Sequence, residues 1–383
     1  MENIYFNSSH TYYRTQLGVF IQEHIAPHIA QWELEEHIPK YIWIELMHFI
    51  NDLKKGTKGK VMKNPGSYFY DVVLIEELAK LNYAGFAASY GICQLAKPYL
   101  ENYGSEYIKR TYLDQIKNGE FWCSIAITEP SGGSDVAQLK TLALEFDDHF
   151  LINGSKTFIT NGVYADFYLL AVKIKALDVE HMSLIIVDAS SDGITKTKIP
   201  KMGWHCSDTA TIGFQNVRVP KKNLVGNQGF GFQYLMEHLQ NERLYVAVMA
   251  VADMDDMYSY TRRTLTSKHH VLNPYQLIEL SKVYAEIQVF KNYVYHCCAI
   301  FDAGIYAVKE CTIAKKSTSE ALIKLINKCM DLLQFSSVDE KNEIARKFRD
   351  ARISTIGGGT SDIMSEILSK IVLDQKAYTQ AIS

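Results

Sequence analysis

The chain has 383 residues, 47% of them hydrophobic and 22% charged, with a formal net charge of -3. That is enough apolar material for a large core in two or three structural units, and without a basic surplus a nucleic-acid partner has no electrostatic support. Seven cysteines, an odd number at spacings that fit no metal template, indicate neither a disulfide framework nor a metal site; they read as small core residues in a reducing compartment. The polar start MENIYFNSSH lacks the apolar stretch of a secretory signal, and no apolar run is long enough to span a bilayer, so the cytoplasm is the expected location.

Three regimes of periodicity follow one another. Residues 1–120 read as helical. Phe20, Ile21, Ile25, Ile29 and Trp32 recur at helical spacing, and Pro27 is predicted to end or kink a helix there. Asp71 to Leu81 is a second helical stripe, and the polar NDLKKGTKGKVMKNPGS (51–67) reads as a loop. Residues 121–226 change to strands. HFLINGSKTFITNG (149–162) carries β-branched and aromatic runs separated by Asn-Gly, which predicts a hairpin. FYLLAVKI, SLIIVDAS and TATIGFQNVRVP continue as short strands, with a turn at SSDG. Residues 227–383 return to helices. Leu277, Leu280, Val283, Ile287, Phe290 and Tyr293 form a stripe at spacings of three and four, and SKHHVLNP (267–274) and KKSTSE (315–320) are predicted as breaks between long helices. The pairs Arg262–Arg263 and Lys315–Lys316 read as solvated surface. The order helix, sheet, helix is an α+β arrangement, mostly α, rather than a wound α/β sheet.

One string carries chemistry. ITEPSGGSD (127–135) follows the apolar FWCSIAI, and a small-residue turn ending in Ser-Asp lets backbone N–H groups approach an anion closely. The glycines alone would mean no more than a loop after a strand. The whole string resembles the TEPxxGSD signature of the acyl-CoA dehydrogenase family. The resemblance extends to IAPHIAQWELEEHIP (25–39), ENYGSEYIKRTYL (101–113), KTFITNG (156–162), Lys201 to Gly226, and RDARISTIGGGTSDIM (349–364).

The resemblance implies an N-terminal helical domain (1–120), a middle β-barrel (121–226), a C-terminal four-helix bundle (227–383), a homodimer or homotetramer, and FAD as cofactor. It places backbone groups of Ile125 and Ile127 against the flavin ring, the Thr128 hydroxyl at its pyrimidine edge and Thr160 near N5. Phe158 stands where the family usually has Trp, and Ser134 falls near the pyrophosphate or the substrate's pantetheine arm. Gly359, Thr360 and Asp362 fall at the flavin's phosphate-ribitol region.

α,β-Dehydrogenation of a thioester needs a carboxylate made more basic by burial, and donors on the thioester oxygen. Many family members place the glutamate directly before the Gly-Thr of the C-terminal segment. Here that position is Gly358, whose N–H the resemblance assigns to the thioester carbonyl. A branch resembling isovaleryl- and long-chain acyl-CoA dehydrogenases instead carries Glu-Arg-Leu on a bundle helix, and this chain has Glu242-Arg243-Leu244. A Glu-Arg pair on a helix is ordinarily a surface ion pair. Its occurrence together with Gly358 makes Glu242 the expected base, with Arg243 along the pantetheine or phosphate path and Tyr245, on the same helical face, limiting the acyl chain.

Two elements at the adenosine end are rewritten. The family's Arg-x-x-Phe-Gly is replaced by YTRRTLTSKHHVLNP (260–274), and its Gln-x-x-Gly-Gly-x-Gly by the glycine-free Asp331 to Glu340. A third departure brings Lys54, Lys55, Lys58 and Lys60 into the N-terminal loop, either facing an acidic carrier protein or simply solvated. The expectation is therefore an oxidoreductase acting on an acyl-CoA or acyl-carrier-protein thioester, passing electrons to an electron-transfer flavoprotein or to oxygen. The competing readings are a flavin oxidase or monooxygenase on the same fold and a flavin-poor, non-catalytic scaffold.

Overall fold

The computed structural model describes residues 4–56, 62–176, 179–267 and 271–373. Helix α1 (Ser8–Phe20) is capped by Asn7, whose side chain accepts from the N–H groups of Ser9 and His10. It passes through a π-helical turn, Ile21–Ile25, and α2 (Ile29–Glu35) starts only beyond Pro27, which has no N–H to continue the ladder. All five apolar residues of the predicted stripe are buried. Helix α3 (Lys40–Lys55) runs further than the sequence suggested, taking in Lys54 and Lys55 as its basic last turn; Lys58 and Lys60 lie outside the described residues. Helices α4 (Phe69–Ala79) and α5 (Ala84–Tyr103) and the short α6 (Glu106–Ile108) and α7 (Asp114–Lys117) complete this part.

The strands are β1 (Cys123–Ala126), β2 (Leu142–Glu145), β3 (His149–Thr160), β4 (Phe167–Ala176), β5 (Val179–Asp188), β6 (Ile194–Lys198), β7 (Thr209–Pro220) and β8 (Leu224–Val225). They form one eight-stranded sheet in the order β6-β7-β3-β2-β4-β5-β8, with β1 added parallel to β4. One apolar core, with Phe150, Ile152, Tyr168, Leu170 and Ile185 among its members, fills the face these strands share. The Asn153-Gly154 hairpin does not form. β3 runs straight through it, and the pairing with β7 merely shifts register between Ile152 and Gly154. Gly154 is in a backbone conformation side chains rarely adopt (φ 151°), and a Cβ there would lie 2.7 Å from the Thr141 Cα. The glycine thus serves a bulge and the close approach of a neighbouring strand.

The C-terminal helices are α8 (Gly231–Leu265), α9 (Pro274–Asp302), α10 (Val308–Leu333), α11 (Glu343–Ala351) and α12 (Ser361–Leu373). Met254, Met257, Val283, Ile287, Leu325 and Ile326 belong to their shared core. Leu280 of the predicted stripe is buried as well, whereas Leu277, at the start of α9, is 51% exposed. KKSTSE is not a break: it lies inside α10, and the chain turns earlier, at 303–307. Thr318 does not compete with the helix because its Oγ1 bonds back into it, to the Ala314 carbonyl at 2.7 Å.

The contacts divide the chain into two compact units. One comprises 30–52 and 88–239 and holds the sheet; the other comprises 1–29, 53–87 and 240–383 and is helical. Among the described residues no helix is long and apolar enough to cross a membrane, no cluster of three or more His, Cys, Asp or Glu is suited to a metal, and all seven cysteines are free and buried.

Replacing Gly154 by Ala is expected to destabilise the protein by about 1–3 kcal/mol, seen as a lower Tm. Gly66→Ala, where nothing lies within 4 Å of the added Cβ, should leave Tm nearly unchanged.

Candidate active site

In the helical unit, Glu242 projects from α8 toward the turn between the Arg352–Thr355 3-10 helix and α12. Gly358 and Gly359 in that turn are both left-handed (φ 66° and 96°). A Cβ on Gly358 would lie 3.6 Å from Glu242 Cγ and 3.7 Å from its Oε1. A longer side chain at 358 would therefore begin in contact with Glu242 and compete for its space, which gives the paired sequence change a steric reason. Among the described residues no backbone carbonyl takes the Gly358 N–H, and no donor is hydrogen-bonded to the Glu242 carboxylate. Burial pushes the Glu242 pKa above the usual carboxylate value, against the opposing pull of the Arg243 and Lys315 charges.

Arg243 is buried and donates through Nη1 to Thr312 Oγ1 at 3.2 Å. Tyr245, also buried, spends its hydroxyl on the Ala87 carbonyl at 2.7 Å, so its ring is fixed rather than adjustable. Thr360 Oγ1 accepts from the Ile363 N–H at 3.2 Å and so caps α12, while Asp362 is exposed in the helix's first turn.

Lys315 corrects the sequence reading most sharply. It is not solvated but 0% exposed, and its ammonium donates to the Gly359 carbonyl. Burial pushes its pKa down to about 8, partly offset by the charge of Glu242. The signal was present: Lys315 stands four residues after Cys311 and seven before Leu322, both buried, and so lies on the buried face of α10. Arg262 and Arg263, by contrast, are exposed at the end of α8 as expected.

The sheet unit holds the other predicted group. Ile125 on β1, with Ile127 and Thr128 just beyond its end, are half-buried. The Ile127 carbonyl accepts from Lys156 Nζ at 3.0 Å, the Thr128 carbonyl from the Thr157 N–H at 2.8 Å, and Ser124 Oγ donates to the Thr160 carbonyl. The end of β1 is thereby fastened to the end of β3. A second register shift against β7, between Lys156 and Ile159, coincides with Phe158 at φ 59°, a strained position for an aromatic residue. Its ring is 67% exposed, and Thr160 beyond it is half-buried. Gly133 folds back on Thr128, where a Cβ would sit 2.8 Å from the Thr128 Cγ2, and Ser134 follows exposed in the same loop.

The anchor of this group was not recognised in the sequence. Glu129, inside the signature string, and Lys156 form a buried ion pair at 2.8 Å. The carboxylate also accepts from the N–H groups of Thr141 (2.8 Å) and Lys140 (2.6 Å). Burial opposes both charges. It prevails at the ammonium, whose pKa lies below the usual lysine value; at Glu129 it is outweighed by the donors, which hold the carboxyl at about 2. In the stretch that replaces the family's Gln-x-x-Gly-Gly-x-Gly, Gln334–Val338 is a 3-10 turn entered through a left-handed Gln334, with Phe335 and Val338 exposed.

Removing one member of the buried pair, as in Lys156→Met, is expected to cost about 3–5 kcal/mol in a denaturant titration. Because the folded pKa of Glu129 is depressed, its contribution is complete above about pH 4.5 and is lost as pH falls through about 2. Melts between pH 2 and 6 should show a weaker pH dependence in Glu129→Gln than in the wild type.

Comparison with known proteins gives a consistent picture. Family models for the acyl-CoA dehydrogenase N-terminal, middle and C-terminal domains match residues 7–120, 124–217 and 229–373. The mitochondrial long-chain specific acyl-CoA dehydrogenase of Sus scrofa is 30% identical over 391 residues, covering 97% of this chain and 88% of that one. The mitochondrial isovaleryl-CoA dehydrogenase of Oryza sativa subsp. japonica is 28% identical over 380 residues, covering 96% and 92%. A crystal structure of acyl-CoA dehydrogenase from Geobacillus kaustophilus superposes with a TM-score of 0.88 at 32% identity, covering 97% of this chain and 99% of that one. With its mostly helical, sheet-containing fold matched along nearly its whole length, the chain belongs to the acyl-CoA dehydrogenase family.

Proposed function

We propose that this protein is a flavin-dependent acyl-CoA dehydrogenase that converts an acyl thioester to its α,β-enoyl thioester, with Glu242 as the base. The observation that carries the reading is a half-buried carboxylate whose pKa is raised by desolvation, bonded to no donor among the described residues and beside a side-chain-free glycine turn. A carboxylate so placed is basic for its kind and has its lone pairs available for the α-proton. The Gly358 N–H offers a donor to the thioester oxygen, where negative charge develops as that proton leaves. Such a base argues for proton abstraction and so against simple oxygenation or a flavin-free scaffold.

The residues present fit FAD. Phe158 holds an aromatic face out to 67% exposure at the cost of backbone strain, which suits a planar ring system. At the N-terminus of α12, Ser361 Oγ is buried with no hydrogen-bond partner among the described residues, beside backbone N–H groups that favour an anion. On this reading Ile125, Ile127, Thr128, Phe158 and Thr160 serve the ring, and Ser134, Gly359, Thr360 and Asp362 its phosphate-ribitol arm. FAD, when bound, supplies the acceptor for the β-hydride.

The proposal takes CoA as the thioester handle because the long-chain and isovaleryl relatives carry it in their names. Arg243 then serves the substrate through the position it gives its neighbour, and Tyr245 as a fixed wall. Electrons leave to an electron-transfer flavoprotein or to oxygen. The same reading includes three domains with boundaries at 120 and 226, a homo-oligomer, and a reducing, cytoplasmic setting, which seven buried free thiols support.

Glu242→Gln is expected to lower kcat/KM toward acyl-CoA by about 10²–10⁴-fold while the bound-flavin absorption spectrum persists. In the wild type Glu242 must be ionised to accept a proton, so kcat/KM should rise with pH through a limb above the ordinary carboxylate value of 4.5. Wild-type turnover by the Gln variant would sink the assignment.

A further inference from the structure

We infer that Lys315 is a positioning residue for the base: from α10 it holds the Gly358–Gly359 turn by a carbonyl and supplies the counter-charge against which the half-buried Glu242 carboxylate is balanced. The inference rests on the reading of Glu242 as base. Its evidence is the way α10 reaches both sides of Glu242. Thr312 accepts from Arg243, the residue next to Glu242 in the chain, and Lys315, one turn further along the same helix, donates to Gly359, the residue after the glycine whose added Cβ would meet Glu242. The buried face of α10 is otherwise lined by small, apolar and hydroxyl side chains such as Cys311, Ala314, Thr318 and Leu322. A methionine would fill the lysine's place there without the desolvation of a charge, so packing alone gives no reason for an ammonium at this position.

The charges around the pair are few. Glu242 is faced by Arg243 from its own helix and by Lys315 from α10, and the glycine turn brings no charge. Lys315 is faced by Glu242, Arg243 and, on α10 itself, Glu320. Burial drives the Glu242 pKa up, and the Lys315 charge opposes it, which keeps the carboxylate ionised over a wider range of pH. The same ammonium fixes the turn that carries the Gly358 N–H. Lys315 thus acts on the α-proton only through Glu242 and on the thioester oxygen only through the turn.

The two jobs separate in Lys315→Gln, whose amide still donates to a carbonyl but carries no charge, and in Lys315→Arg, which keeps the charge. The holoenzyme is incubated in D2O with 3,3-dimethylbutanoyl-CoA, which has α-hydrogens but no β-hydrogen to lose, and α-deuteration is followed by NMR across pH. Exchange reads the base without hydride transfer. For Lys315→Gln the expected result is a melting temperature close to wild type and an acidic limb moved upward by about one pH unit, a tenfold loss at fixed pH on the acidic side. Lys315→Arg should return the limb toward its wild-type position. Should the Gln variant not fold, Lys315→Arg and Lys315→Met are compared instead, and a limb common to both overturns the proposal, as does an unmoved limb in a folded Gln variant. Exchange that persists in Glu242→Gln overturns the assignment of the base itself, whatever the Lys315 variants show.

Discussion

Burying a carboxylate raises the energy of its charged form, and the surroundings decide whether the group becomes an anchor or a reagent. On the proposed reading this protein shows both outcomes. Glu129 receives Lys156 and two backbone N–H groups, and those donors hold it ionised far into the acid range. Its lone pairs are occupied, so it fastens the end of β1 to β3 and takes no proton at ordinary pH. Glu242 is half-buried, with charges nearby but with no donor bonded to its carboxylate among the described residues, and its pKa moves the other way. The contrast separates structure from chemistry on the same physical basis that sets paired catalytic carboxylates apart in other enzymes.

The strain at Phe158 depends on the first of these arrangements. A phenylalanine at φ 59° persists only where the flanking backbone is over-determined. Lys156 on one side is locked by the Ile127 carbonyl and Glu129, Thr157 bonds the Thr128 carbonyl, and the Thr160 carbonyl beyond takes the Ser124 hydroxyl. The signature string is thus partly a clamp. Its glutamate holds the strand that displays the aromatic ring, and Gly133 allows the loop to close onto Thr128.

Much of this was legible in the sequence, and where it was not the reasons are specific. β7 has the bounds its alternation implied, and Pro27 separates α1 from α2, because period and proline act locally. Glu242 stands out as the candidate base because a Glu-Arg-Leu occurs on the helix while position 358 is glycine. The Asn153-Gly154 reading failed because hairpin and bulge ask for the same glycine, and only the neighbouring Thr141 distinguishes them. KKSTSE reads as a break because composition hides the fact that the Thr318 hydroxyl bonds back into the helix and that one of its lysines lies on the buried face. The Lys156–Glu129 pair joins residues 27 apart through sheet pairing that no local pattern encodes.

The position proposed for the base accords with backbone conformation. A glutamate at 358 would have to hold a left-handed φ of 66°, which costs an L-residue of order 1 kcal/mol, and its Cβ would start 3.6 Å from the Cγ of Glu242. On α8 the same carboxylate stands on an unstrained 35-residue helix, where neighbouring turns fix its direction. With the side chain removed from the turn, Gly358 keeps the left-handed conformation at little cost and leaves its N–H to act as a donor. The proposed base and donor then come from separate elements, a helix and a glycine turn, and something must hold the two in register. In this unit that link is α10, with Thr312 on the Arg243 side and Lys315 on the Gly359 side.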